Sequence, residues 1–426
     1  MQVEQQLTMA EQPPISHGES DQRIPDADTL ISRAVALRDT IRAQAAEAEV
    51  LGRYTPGMHE AFLDAGFYHM LTPRMYGGYE TDLRTFAKVI IEVGRGDPGT
   101  GWCLCLGHGH ALTTAARWTK KAQDHVFNND TGYFRASHSL VPAGKAVPVD
   151  GGYRIQARSP YQSGVPYSTH ATVNVQLVED NADPDAPPRF LQVLIPASQF
   201  EILDDWGGDK IIGMRASGSN TVVVDDKFVP SEFAIEIDWL AEAELWESEG
   251  TRIHHNPMYL GVSQGFLNLE LVSCVVGAAR AAVDEYTRLM LSKPVAMPPY
   301  GPRRVDPMYQ RDLGTAVLKT NAAEALVLHA AEVYTEHCAD AVNGVRAFDR
   351  KSDIEVFGLM QEAGKMACEA VETLFRSAGS SSAGKGQPMQ RYMRDVLMYR
   401  THTTAQFDVM AQRVGAVQIG ERNSVW

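Results

Sequence analysis

Basic residues are in short supply: 39 Lys and Arg stand against 53 Asp and Glu, a formal net charge of −14 with histidine neutral. A nucleic-acid partner would want a basic stripe to displace counterions from phosphates, and an anionic membrane surface would want the same. Neither is expected. Cysteine is scarce too, five residues with no Cys-x-x-Cys spacing, which fits a reduced, cytoplasmic chain. No His/Cys cluster has zinc-like spacing, so no metal is expected. Strictly apolar runs of ~18 residues are missing, which argues against a transmembrane helix, and the first 22 residues lack a charged-then-apolar leader layout. No Walker loop, no Gly-x-Ser-x-Gly elbow and no Gly-x-Gly-x-x-Gly after a strand occurs.

What remains is an ordinary globular composition, 44% hydrophobic and 22% charged over 426 residues, with ample material for a core. Residues 1–25 are polar and aperiodic and are expected to form a flexible tail. From residue 26 to 131 the period is helical. Leu30, Ala34, Leu37, Ile41 and Ala45 recur three and four apart, and a second helix over 58–65 stops at Gly66. Asp82 opens a third. Asp97-Pro98 supplies an N-cap with proline at the first helical position, and the helix it opens sets Trp102, Leu106 and His110 on one face. His108 is rotated about 160° from His110, so only one of the two should face a pocket.

Between 132 and 240 the period changes to two. Val173, Val175 and Leu177 alternate with Asn174 and Gln176, and Asp150-Gly151-Gly152 is a hairpin signal. Helices flank this β region instead of alternating with it, which argues against a doubly wound parallel sheet. From 241 to 426 helical patterns return over about 258–291, 308–344, 353–377 and 386–416, and read as an antiparallel four-helix bundle. The fold class is α+β, in the order helical, β, helical bundle.

Polar small-residue loops lie at the seams, at 135–145, 159–164, 213–220 and 377–384. Hydroxyls, glycines and exposed backbone N–H groups suit a polar ring system or a phosphate, although each loop taken alone reads as a turn first.

In order and spacing these segments resemble the acyl-CoA dehydrogenase fold. Residues 96–102 (Gly-Asp-Pro-Gly-Thr-Gly-Trp), 149–154 (Val-Asp-Gly-Gly-Tyr-Arg) and 214–230 (Met-Arg-Ala-Ser-Gly-Ser-Asn through Phe-Val-Pro) carry the likeness, which extends over about 30–418. It implies an N-terminal α-helical domain, a central β-barrel-like domain and a C-terminal four-helix bundle, in a homotetramer with flavin at the seams. One branch of that fold, the acyl-CoA or acyl-carrier-protein dehydrogenases, needs a catalytic carboxylate, commonly a glutamate before the last helix. Residues 377–389 contain no acidic residue, and Glu270 on the first bundle helix is the displaced alternative, otherwise read as a solvated or paired helix glutamate.

The other branch, the reduced-flavin-dependent monooxygenases similar to p-hydroxyphenylacetate, steroid-phenol and dibenzothiophene oxygenases, is favoured by local features. Residues 137–145 (Ser-His-Ser-Leu-Val-Pro-Ala-Gly-Lys), Ser163-Gly164, 256–259, 276–284 and 390–395 followed by 400–402 resemble its motifs. The sequence departs from that pattern at Ser159-Pro160, where an aromatic is usual, and at His138. The resemblance implies the oxygenase half of a two-component system. Reduced FMN, or FAD, would arrive from a separate NAD(P)H:flavin reductase and react with O2 to a C4a-hydroperoxyflavin that oxygenates a small, aromatic substrate. His402, on one helical face with Arg391, Arg394, Asp395 and Met398, is the first candidate for proton work, and His110 the second. Ser163 would sit near flavin N5 and Ser137 and Ser139 at the ring edge. Arg303, Arg304, Ser380 and Ser381 would receive its phosphate. A non-catalytic flavin scaffold is the remaining class.

Overall fold

The computed structural model describes residues 24–179, 186–237, 244–261 and 264–421. Nearly all of the expected tail, 1–25, lies outside the described residues. Six helices come first: α1 (Ala27–Leu51), α2 (Pro56–Asp64), α3 (Leu83–Gly96), α4 (Pro98–His108), α5 (His110–Arg117) and α6 (Lys120–Phe127). Five of them begin alike. Asp26, Thr55, Asp82, Asp97 and Thr119 each accept, through the side chain, the backbone N–H three residues on, satisfying a donor that the first turn leaves without a partner.

Eight strands follow: β1 (Ala136–Ser139), β2 (Gly144–Val149), β3 (Gly152–Ser159), β4 (His170–Leu177), β5 (Phe190–Pro196), β6 (Glu201–Ile202), β7 (Val222–Pro230) and β8 (Ala234–Ile237). Their order is β6-β7-β3-β2-β4-β5-β8, with β1 also on β4. The β2–β3 hairpin closes at Val149 opposite Gly152, as its Asp-Gly-Gly signal predicts. Strands β1 and β2 share one edge of β4, β1 along its first half and β2 along its end, both parallel to it. The central β domain is this one sheet, an open path among the described residues. One of its edges is the two-residue strand β6, too short to carry a closing ladder.

The short α7 (Glu249–His254) leads to α8 (Gln264–Ser292), α9 (Pro307–Val342) and α10 (Arg350–Ala378), which pack on one another, and then to α11 (Pro388–Arg400) and α12 (Phe407–Gln418). Helix α8 is long and apolar enough to cross a membrane by length and composition, contrary to the expectation that no segment would be. Most of that stretch is buried within the protein, against α3, α9 and α10.

The helix expected over 386–416 is two helices. At the break Thr401 Oγ1 donates to Met398 O at 2.8 Å, and the Thr404 N–H turns to the His402 ring at 3.2 Å. Hydroxyl and imidazole groups thus take backbone partners that a continuing helix would need.

Candidate active site

A cavity of about 360 Å³ opens where α4, α5, α8, the loops 159–164 and 213–220, and the α11–α12 turn meet. Its apolar walls come from Trp102 and Leu106 of α4, Leu267 and Leu271 of α8, Met214, and Met398 and Tyr399 of α11. Tyr161, held at φ 59° and more than half exposed, stands edge-on to Trp206 at 5.8 Å on its rim. That is where the sequence departs from the aromatic expected at 159–160.

One wall is a run of hydroxyls. Trp102 Nε1–H donates to Ser163 Oγ at 3.1 Å, Ser163 Oγ lies 2.7 Å from Ser219 Oγ, and Ser219 Oγ lies 2.6 Å from Ser217 Oγ. All four side chains are buried and all line the cavity. The loop bearing Ser217 and Ser219 is pinned from behind, where Asp395 Oδ1 accepts the Met214 N–H at 2.7 Å. A Cβ on Gly213 would come within 2.1 Å of the Arg394 carbonyl oxygen, so only glycine lets the loop approach α11 this closely. Arg391 and Arg394 pair with Glu49 of α1. The Arg-x-x-Arg-Asp motif therefore positions the serine loop and is not the partner of His402.

Three histidines line the cavity, and their partners settle their protonation. His110 Nδ1 lies 2.7 Å from the Ala136 carbonyl, to which it donates, so Nε2 keeps its lone pair; burial pushes this ring down to about 4. His402 Nδ1 accepts the Thr404 N–H, which leaves the proton on Nε2, and burial pushes it likewise to about 4. His138 Nε2 lies 2.9 Å from Gln192 Nε2. The amide is oriented by Arg117, which donates to Gln192 Oε1 at 2.8 Å, so the NH₂ faces and donates to His138. Burial first, then the neighbouring His110, holds His138 well below the ordinary histidine range. The rings of His110 and His138 meet edge-on at 5.4 Å, and His402 meets Trp102 edge-on at 5.9 Å. All three are neutral at pH 7.

His402 thus reaches the cavity from the turn after α11 and not from the helix face expected of it. Of the pair left open by the sequence, His110 faces the cavity. His108 is fully buried elsewhere and accepts the Leu71 N–H on Nε2 at 2.9 Å.

Glu270 overturns its expected role as a solvated or paired glutamate. It is fully buried and lines the cavity, and neither carboxyl oxygen has a hydrogen-bond partner. Burial pushes its carboxyl well above the usual carboxylate range. The signal lay in its surroundings, an acid flanked by Leu267, Leu269, Leu271 and Val272, the one charged residue between 264 and 279.

Among the residues expected to hold flavin, Ser139 and Ser163 line this cavity. Ser137 is fully buried with Oγ unpartnered, and is not among the lining residues. Arg303, Arg304, Ser380 and Ser381 gather apart from it, where the ends of α8 and α10 meet the start of α9. Arg303 is spent on the fold: Nη1 donates to the Ala378 carbonyl at 2.9 Å, Nε to the Pro294 carbonyl at 3.1 Å, and the guanidinium sits over the Tyr309 ring. A bidentate phosphate contact through those two nitrogens is not available. Arg304, Ser380 and Ser381 are exposed, and Ser381 Oγ accepts from Lys293 Nζ at 2.9 Å.

The acyl-CoA dehydrogenase N-terminal domain signature matches residues 33–127, and the acyl-CoA dehydrogenase C-terminal domain signature matches 269–407. The oxygenase subunit HsaA of a flavin-dependent monooxygenase from Rhodococcus jostii is 27% identical over 385 residues, covering 87% of this chain and 93% of the relative. The oxygenase component of p-hydroxyphenylacetate 3-hydroxylase from Acinetobacter baumannii is 24% identical, covering 92% and 89%. Among solved structures, XiaF from Streptomyces sp. in complex with FADH2 and glycerol superposes with a TM-score of 0.83 at 25% identity, covering 94% of this chain and 97% of that one. With both terminal domains matched and such relatives over nearly its whole length, the chain belongs to the acyl-CoA dehydrogenase-fold family, beside the oxygenase subunits of flavin-dependent monooxygenases.

Proposed function

We propose that the chain is the oxygenase component of a two-component flavin-dependent monooxygenase. Substrate, O2 and reduced flavin would give hydroxylated product, water and oxidised flavin, the reduced flavin coming from a separate NAD(P)H:flavin reductase. The observation that carries this reading is that the Trp102–Ser163–Ser219–Ser217 run and three neutral histidines line one largely apolar cavity.

The donor set fits a flavin ring, which needs apolar cover on its faces and hydroxyl or N–H donors along one edge. Ser163 and Ser139 would hold the ring, and the unpartnered Ser137 Oγ is a buried donor close behind them. Reduced flavin, when bound, supplies the electrons and the activation of O2. The chain supplies the rest. Trp102 keeps Ser163 Oγ oriented. His402 donates a hydrogen bond from Nε2–H, and His110 accepts one at Nε2 from the substrate. The apolar walls of α4, α8 and α11 exclude water. Because Arg304, Lys293, Ser380 and Ser381 gather apart from this cavity, we assign them to the phosphate of a flavin, FMN or FAD alike, seated in a neighbouring copy of the homotetramer.

A homotetramer in the cytoplasm accompanies this reading. Apolar side chains stand exposed between α8 and α9 at Met297, Tyr300 and Val305, and all five cysteines are free and buried.

The test is to mix purified protein with photoreduced FMN, oxygenated buffer and a panel of aromatics, and to measure hydroxylated product and hydrogen peroxide. Product at the expense of peroxide is expected. Peroxide alone with every aromatic, together with bleaching of bound FAD by an acyl thioester, would instead support the dehydrogenase alternative, with Glu270 as its carboxylate.

A further inference from the structure

We propose that Glu270 selects the substrate by charge: the cavity takes an uncharged aromatic whose polar substituent both donates and accepts hydrogen bonds, an amide or a phenol, and rejects the aromatic carboxylate of the same shape. This rests on the monooxygenase reading of the same cavity.

Three observations carry it. The Glu270 carboxyl is fully buried, faces the cavity and has no protein partner on either oxygen. A buried polar group left without a partner is costly, and a ligand that supplies one recovers that cost on binding. Second, the space the carboxyl occupies is made by Gly109, between α4 and α5, where a Cβ would lie 1.6 Å from Glu270 Oε1. Gly109 has an ordinary helical φ of −59°, so glycine is required there for room and not for conformation. Third, among the described residues no lysine or arginine lines the cavity, and its three histidines are neutral.

The chemistry of the ligand follows. A protonated carboxyl offers one O–H and one carbonyl oxygen side by side, which an amide or a phenol satisfies without any charge entering the site. An aromatic carboxylate would lose its hydration beside another carboxyl with no cation to compensate. A cationic amine would have to ionise Glu270 and bury both charges, whose joint desolvation offsets their attraction.

The experiment compares phenylacetamide with phenylacetate, and benzamide with benzoate, by equilibrium dialysis under nitrogen with reduced FMN present. No oxygenation occurs there, so binding is read alone. The wild-type protein is expected to hold each amide about tenfold tighter than its carboxylate. Glu270→Gln should keep that preference, because its amide also donates and accepts. Glu270→Leu should lose it by weakening the amides alone. Carboxylates bound as tightly as amides, no binding of either, or an unchanged preference in Glu270→Leu would each overturn the proposal. Failure of the wild-type protein to hydroxylate any aromatic once O2 is admitted would instead remove the monooxygenase reading beneath it.

Discussion

Trp102 Nε1–H donates to Ser163 Oγ at 3.1 Å, across 61 positions of sequence and between helix α4 and the loop after strand β3. The bond joins two segments that each carry a family motif into one device. The Asp97 cap and Pro98 start α4 in the right place, and the fourth residue after Pro98 then delivers its indole to the serine.

Removing that serine isolates its chemical role. Ser163→Ala should cost about 1 kcal/mol of stability, the worth of one buried hydrogen bond. Hydroxylated product should fall on the order of 100-fold, with peroxide rising in its place. Chromatography of product beside a peroxide assay checks both; unchanged coupling would take Ser163 out of the mechanism.

His402→Ala should leave reduced-flavin affinity unchanged and lower product yield on the order of 100-fold, releasing hydrogen peroxide instead. Flavin affinity is read by fluorescence titration. Unaltered product yield would show that the proton comes from elsewhere.

Acid should unfold the protein through its buried histidines. His110 and His402 titrate at about 4 when folded against an ordinary 6.5, so between those values the unfolded chain binds more protons. Their contribution is full above pH 6.5 and is lost as pH falls toward 4, at about 1.4 kcal/mol per pH unit for the fully buried His110. Thermal melts should show Tm falling as pH drops from 6.5 to 4.

Glu270 acts with the opposite sign. Its folded carboxyl titrates well above the ordinary 4.5, so stability is lost as pH rises past that value, where only the unfolded chain ionises. Glu270→Gln removes this loss. The Tm of the variant minus that of the wild type should grow with pH from 4.5 upward, and a constant difference would mean that the carboxyl is ionised in the folded protein.

Gly109→Ala should destabilise by about 1–3 kcal/mol, because its methyl enters the space of the Glu270 carboxyl, although alanine favours the helix. Adding Glu270→Ala should restore most of that loss. A double-mutant cycle in urea measures the coupling, and strict additivity would show that the two residues do not compete for that space.

Much of this protein was determined by the sequence alone, wherever the governing free energy is local. Caps at Asp82 and Asp97, the Asp-Gly-Gly turn and the stripe from Leu30 to Ala45 act within a few residues, so those helix starts and the hairpin were legible. Motif spacing likewise brought out Ser163, His110 and His402. What tertiary structure alone decided is what each side chain faces. The break after Arg400 puts His402 in a turn, and packing against Leu71 takes His108 out of contention. Two backbone carbonyls engage two of the three nitrogens of Arg303, and Gly109, 161 positions away, gives Glu270 a buried place without a partner among the described residues. No local pattern encodes these outcomes, because burial and pairing depend on surfaces that distant segments supply only once the chain is folded.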